Sequence, residues 1–291
     1  MNRGRILAIL ALACGAVAPA PAQNLVMKNG KTITAKALRR QGDQIIATVE
    51  VPAAEAGKPA NTGELGYPLA QIERLDFPKP AILESGADLL ASGKGEDVLR
   101  QLEPVVTFYT GFRDAPGSWW PESALLKAQT LAALGRDTEA NLLANQILQS
   151  PGSDPEIARA ADVLIALGHS QKGVPPGAVE TAERALKESR RPFTRAAASV
   201  IMGQRLLEKK DWEDALLSYL RVAVFSPEEK VLLRRATIGA GRAWLAMDDF
   251  ESAREAFKSV IETAGQSPEA DTAKAELENV ARREKALAPP K

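Results

Sequence analysis

Two stretches of the chain repeat one pattern of small and bulky residues. In each stretch a glycine is followed 9, 12 and 16 residues later by a bulky, a small and a second bulky residue, and the two glycines lie 38 residues apart. The first copy consists of Gly203, Trp212, Ala215 and Tyr219, and the second of Gly241, Phe250, Ala253 and Phe257. A repeat of this length predicts stacked helical hairpins, because one hairpin cannot bury its apolar face without a neighbour.

Each copy predicts two helices joined by a polar turn. In the first copy we expect helices over about residues 195–207 and 212–225. Asp211 is a residue type preferred at the N-cap of the second helix, and Pro227 follows that helix and cannot continue it.

The small residues mark the place where the two helices of a hairpin cross. Gly203 and Ala215 are expected at this crossing, since small side chains let two helix backbones approach closely. Tyr219 follows Trp212 by two helical turns. Both side chains therefore share one face and are expected to fill the space beside the crossing.

These residues resemble the tetratricopeptide repeat family. Its repeat has small residues at the eighth and twentieth positions, aromatic residues at the seventeenth and twenty-fourth, and often a proline near the thirty-second. The first copy, with Pro227, matches all five, whereas Pro268 in the second copy is displaced by three residues. The resemblance implies an α-solenoid that binds proteins on its concave side and performs no chemistry.

Weaker copies of the same spacing precede these two, and together they predict about five hairpins and a polar capping helix. In the third hairpin a long loop over residues 168–176 breaks the register. The predicted hairpins cover residues 79–112, 121–154, 155–192, 196–229 and 234–267, and the capping helix covers residues 268–287 within a helical domain of residues 78–291.

Residues 23–77 have the sequence pattern of a small β domain. Asn29-Gly30 is a hairpin turn signal, and short alternating segments on both sides predict about five strands. We expect an SH3-like or Sm-like barrel or roll. It should dock on the first hairpin through Phe77 and Pro78.

Residues 1–22 have the features of a signal peptide. Arg3 and Arg5 precede an apolar segment over residues 6–17, and an Ala-x-Ala cleavage site ends at Ala22. Cleavage there predicts a periplasmic or secreted protein and removes the only cysteine. Lipidation of Cys14 is the alternative that we favour less.

Composition narrows the function classes. The chain of 291 residues has 45% hydrophobic and 25% charged residues, typical of a globular protein. Its 37 basic and 37 acidic residues give a net charge of zero without a basic stripe, which argues against nucleic-acid binding. After the signal peptide no segment approaches 18 apolar residues, so we expect no transmembrane insertion, although peripheral association with the envelope stays open.

No motif predicts a catalytic, cofactor-binding or metal site. His169 is the single histidine. The paired carboxylates, Asp248-Asp249 and Glu228-Glu229, fall in predicted turns, where solvated or capping roles are typical. The preferred function is therefore a non-enzymatic scaffold or adaptor with a protein or peptide partner. The alternatives are an envelope enzyme with a site in the helical concavity, or a structural protein that self-associates through its strands.

The resemblance also implies which residues bind the partner, since the first helix of each hairpin lines the concave groove in this family. Arg235 and Arg242 are expected to contact acidic groups. Trp119, in a turn before a helix, either packs on the protein or is exposed as an anchor. The predicted groove residues are Leu125, Gln129, Val200, Gln204, Leu207, Arg235, Ile238, Arg242 and Leu245.

Overall fold

The computed structural model describes residues 23–51, 61–151, 154–170 and 173–287. The predicted signal peptide, its cleavage site and Cys14 lie outside these residues. Within them the protein is mainly helical, with a small antiparallel sheet region before the helices. No helix of the described part is both long and apolar enough to cross a membrane.

Among the described residues, six strands precede the helices and form two antiparallel sheets of three strands, in the orders β2-β1-β6 and β3-β4-β5. A short 3₁₀ helix, Leu69–Gln71, separates the last two strands. The strands are β1 (Gln23–Met27), β2 (Thr32–Ala35), β3 (Ala37–Gln41), β4 (Gln44–Val51), β5 (Asn61–Pro68) and β6 (Ile72–Asp76).

The strands differ from the prediction at two points. The alternating segment over residues 32–38 predicts one strand, but the structure has two, because the chain passes from one sheet to the other at Lys36, whose N–H donates to the Thr48 carbonyl. The sequence also predicts a strand that begins at residue 65, whereas β5 begins at Asn61. The described residues show no closed barrel.

Eleven α-helices follow in the described part of the chain. They are α1 (Ile82–Ala91), α2 (Gly95–Thr110), α3 (Trp120–Ala133), α4 (Asp137–Leu148), α5 (Pro155–Ser170), α6 (Pro176–Glu188), α7 (Pro192–Glu208), α8 (Trp212–Phe225), α9 (Lys230–Ala246), α10 (Phe250–Ala264) and α11 (Pro268–Leu287).

The helices pack in two layers. Each odd-numbered helix contacts the next odd-numbered one, from α1 to α11, and these six helices form an inner layer. The even-numbered helices pack outside, between consecutive inner helices. This repeat-like packing is compatible with an α-solenoid.

The inner layer closes on itself, because α9 returns to the first hairpins. The buried Arg234 donates from Nη2 to the Ala91 carbonyl at the end of α1, at 2.5 Å. Arg235 donates from Nη2 to the Ala132 carbonyl of α3, at 3.2 Å. In the part of the chain that the structure describes, the inner helices therefore form a ring and leave no open groove along all hairpins.

The repeated small residues do lie against the bulky residues of their own copy. A Cβ atom on Gly203 would lie 2.7 Å from the Tyr219 ring, and one on Gly241 would lie 2.6 Å from the Phe257 ring. Ala215 is completely buried. Both glycines thus allow an outer-helix ring to touch an inner-helix backbone, as the pattern predicted.

Three local predictions need correction. Helix α7 begins at Pro192, three residues before the predicted start, since proline suits the first turn of a helix. Asp211 occupies the N-cap position of α8, but its side chain accepts no capping hydrogen bond. Helix α5 continues to Ser170, so His169 lies in its last turn and the predicted loop is shorter.

The sheet region docks on the first hairpin through Phe77, as expected. The Phe77 ring makes edge contacts with Phe108, Tyr109 and Phe112, with centroids 5.2 to 5.9 Å apart. The Leu75 N–H donates to the Pro116 carbonyl at 2.7 Å. Aromatic packing and a backbone hydrogen bond therefore join the two regions.

Candidate binding cleft inside the helical ring

A cleft of about 500 Å³ opens where the carboxyl ends of the inner helices meet the start of α11. Six of the predicted groove residues line it, on α7 and α9. They are Val200, Gln204, Leu207, Arg235, Ile238 and Arg242. We call this space the ring cleft.

Helical periodicity explains why these residues meet. Residues 200, 204 and 207 are spaced by four and three, as are residues 242, 238 and 235, so each set lies on one face of its helix. Because α7 and α9 are neighbours in the inner layer, the two faces border the same space. The apolar members, Val200 and Ile238, are largely buried and show only part of their surface to the cleft.

Arg235 forms a wall of the ring cleft. Its Nε donates to Glu269 Oε1 at 3.0 Å, and its Nη2 donates to the Ala132 carbonyl. The Glu269 side chain is only 7% exposed, so the ion pair is largely withdrawn from water. Arg235 is thus engaged on two sides within the protein, which leaves it less available to a partner than the sequence suggested.

Arg242 is the more accessible of the two arginines. Its side chain is 47% exposed, and its Nε donates to Glu276 Oε1 of α11 at 2.7 Å. The arginine end of this ion pair faces water, and ion pairs at the surface contribute little to stability. Arg242 can therefore present a cation to the mouth of the cleft.

Tyr219 reaches the ring cleft from the outer layer. Its ring passes between Gly203 of α7 and Gly239 of α9, and a Cβ atom on either glycine would overlap it. The side chain is almost completely buried yet forms part of the cleft lining. No group in the described residues hydrogen-bonds to its hydroxyl.

Burial raises the pKa of the Tyr219 hydroxyl, an effect that Glu208 strengthens and Arg242 opposes. The hydroxyl is therefore protonated at physiological pH and can donate or accept a hydrogen bond. Sequence reasoning treated Tyr219 only as a packing residue. The signal that sequence reasoning missed was Gly239. A side chain at this position would overlap the Tyr219 ring, as one at Gly203 would.

The amide of Gln204 completes the polar part of the ring cleft. Its Nε2 donates to the Ser170 carbonyl at the end of α5, at 2.5 Å. The carbonyls of the last helical turn have no partner within their own helix, so this bond satisfies one of them.

The other predicted binding residues lie elsewhere. Gln129 lines a smaller cleft of about 60 Å³ on the opposite side of Arg235. Leu125 and Leu245 are 2% and 3% exposed, so they belong to the core and not to a surface. Trp119 packs at the junction with the sheets, where its indole N–H donates to the Phe77 carbonyl at 3.0 Å.

Glu229, at the start of α9, borders the smaller cleft. Burial raises its pKa to about 6, with Glu228 adding to the rise and Arg191 opposing it. The folded chain therefore binds more protons than the unfolded chain between the ordinary glutamate pKa and 6. The free energy of unfolding from this group is highest at low pH and falls as the pH rises through 6.

Replacement of the carboxylate should remove this dependence. We expect Glu229→Gln to raise the free energy of unfolding by about 1–2 kcal/mol at pH 7.5 and to change it little at pH 4.5. Urea denaturation at both pH values measures the difference. Glu228→Gln is the control, since Glu228 is exposed and should gain much less. A gain for Glu229→Gln that is equal at both pH values would contradict the argument.

The described residues hold no group of three or more His, Cys, Asp or Glu side chains that could bind a metal ion. The lining of the ring cleft combines apolar walls with the Arg242 guanidinium and the Tyr219 hydroxyl. In comparisons with known proteins, no family model matches the chain and no curated protein is significantly similar to it.

Proposed function

We propose that this protein is a non-enzymatic scaffold or adaptor of the bacterial cell envelope, and that its ring cleft binds a short segment of a partner protein. The helical part would be a tetratricopeptide-repeat-like solenoid of five hairpins with α11 as its cap. The order of inner and outer helices and the contacts of Gly203 and Gly241 with rings of their own copies support this assignment.

One observation carries the binding proposal. Six residues chosen from the sequence as a binding surface converge on one cleft, together with a tyrosine hydroxyl that has no partner among the described residues. Clefts of roughly 300–1,000 Å³ with apolar walls and a few polar groups are typical ligand sites. A volume of about 500 Å³ holds a few side chains or a chain end, so the partner segment is short.

The lining suggests how the segment is held. Val200, Leu207 and Ile238 provide apolar contacts. Arg242 provides hydrogen-bond donors at the mouth, and the Tyr219 hydroxyl provides one within the lining. A partner segment with an apolar residue next to an acidic or carbonyl group would fill the apolar walls and accept hydrogen bonds from these donors. Export to the envelope rests on the signal-peptide features of residues 1–22.

A photo-crosslinking experiment in the native envelope tests this function. A photoreactive residue at position 204 of the full chain should crosslink to a partner protein. We expect Arg242→Glu and Tyr219→Phe each to reduce the crosslinked product at least about tenfold, equivalent to about 1.4 kcal/mol of binding free energy. Tyr219→Phe should leave the melting temperature unchanged, because no described residue hydrogen-bonds to the hydroxyl.

Arg254→Glu is the matched control. Arg254 pairs with Glu284 of α11 at 2.7 Å, as Arg242 pairs with Glu276, but it lies on the outer helix α10 and does not line the ring cleft. Its replacement should leave the crosslink intact. A crosslinked product that survives both cleft variants would contradict binding at this site.

A further inference from the structure

The outer helix α8 carries an apolar surface that nothing in the described structure covers. Leu217 and Val224 are 58% and 69% exposed, and Leu220 is 38% exposed. We call these three residues the α8 stripe. Phe225, which is 63% exposed, extends the apolar surface at the end of the helix. Isolated surface leucines are common, but a contiguous exposed apolar patch usually marks an interaction site.

The spacing of the α8 stripe suits helix–helix packing. Leu217, Leu220 and Val224 follow one another after three and four residues, the spacing of a coiled-coil seam. The opposite face of α8 holds Ala215 and Val222, which are buried against the inner layer. The stripe therefore points directly away from the ring and is free to meet another helix.

We propose that the α8 stripe packs antiparallel against the same stripe of a second copy of this chain, about a two-fold axis. A two-fold interface brings one patch onto itself, so an apolar patch is its own complement. With the axis between Leu217 and Leu220, Leu217 of each copy faces Leu220 of the other copy. The seam is then continuous and apolar at its centre.

The charges beside the α8 stripe select this orientation. Asp214 and Arg221 are both exposed and lie seven residues apart, so they share one flank of the helix, two turns from each other. In the antiparallel arrangement Asp214 of each copy faces Arg221 of the other copy. A parallel arrangement would place the two flanks on opposite sides of the seam, so neither of these pairs would form. The two opposite-charge pairs argue for a second copy as the occupant.

This inference is independent of the proposed function. The α8 stripe lies on the outer layer, whereas the ring cleft lies inside the inner layer, so dimerisation leaves the cleft open. A dimer would present two ring clefts at a fixed separation. A partner with two binding segments would then be held more tightly than by one copy.

Sedimentation velocity of the full chain over a concentration series tests the dimer. We expect a concentration-dependent dimer, and we expect Leu217→Glu with Val224→Glu to raise its dissociation constant at least about tenfold. Leu142→Glu is the control, since Leu142 is 63% exposed on the outer helix α4, away from the stripe. It should leave the dissociation constant unchanged, and all variants should keep the helical circular dichroism of the parent.

A charge exchange tests the orientation. Asp214→Arg alone should weaken the dimer, because the new positive charge would face Arg221 of the second copy. Adding Arg221→Asp should restore the dimer. A chain that stays monomeric at every concentration overturns the proposal. The occupant of the α8 stripe would then be another one, such as residues 1–22 of the same chain or a lipid vesicle. A dimer that tolerates the paired glutamate variant also overturns it.

Discussion

Replacing Gly117 by alanine is expected to lower the free energy of unfolding by about 3–5 kcal/mol, the largest effect predicted for a single residue of this protein. Gly117 has a φ of +80°, which an alanine adopts only with strain. A Cβ atom at this position would also overlap the backbone carbonyl oxygen of Leu75 in β6. The strand cannot yield without losing the hydrogen bond from the Leu75 N–H to the Pro116 carbonyl.

Gly135→Ala separates the two causes. Gly135 has a similar φ of +75°, but nothing lies within 4 Å of the position of its Cβ atom. Its replacement should cost only the conformational strain, about 1–2 kcal/mol. Chemical denaturation of both variants measures the difference. Equal losses at the two positions would mean that the sheet region does not approach residue 117 closely.

Gly239→Ala is expected to lower the free energy of unfolding by about 2 kcal/mol, since overpacking costs about 3 kcal/mol and the higher helix propensity of alanine returns about 1 kcal/mol. The new methyl group would overlap the Tyr219 ring. The ring cannot move aside, because the backbone of Gly203 bounds it on the other face, where even a Cβ atom would lie only 2.7 Å from the ring. The displaced hydroxyl should also weaken binding in the ring cleft.

A double-mutant cycle with Tyr219→Ala checks this explanation. With the ring removed, Gly239→Ala should cost nothing or stabilise α9, so the two changes should be strongly non-additive. Gly177→Ala is the control, since Gly177 lies in α6 with nothing within 4 Å of the position of its Cβ atom. Additive losses for Gly239→Ala and Tyr219→Ala would show that the ring does not lie between the two inner helices.

Much of the local structure could be predicted from the sequence because it depends on short-range patterns. The positions of α7 to α11 follow from helical periodicity and from breakers such as Pro227 and Pro268. The errors arose where a local signal was overlooked or was weak. Pro192 is a favourable first residue of α7, and the continuation of α5 through Gly168 costs only about 1 kcal/mol.

The candidate site could be predicted only in part. The residues that the sequence predicted on one face of α7 and on one face of α9 line the same cleft, because they recur at helical spacing on neighbouring helices. The role of Tyr219 was missed because its ring reaches the cleft between Gly203 of α7 and Gly239 of α9. These two glycines belong to different hairpins, so no pattern within one repeat indicates the gap between them. Leu125 and Leu245 are buried and do not line the ring cleft.

The sequence by itself determined the helical hairpins, their order and the contacts within each repeat, since these depend on residues less than about one repeat apart. Only the tertiary structure decided that the inner layer closes, with Arg234 and Arg235 of α9 bonded to carbonyls of α1 and α3. Closure depends on small rotations that add up over five hairpins. No local sequence pattern encodes the summed rotation of the five hairpins. The inner helices therefore form a ring with a short cleft where the sequence predicted a groove.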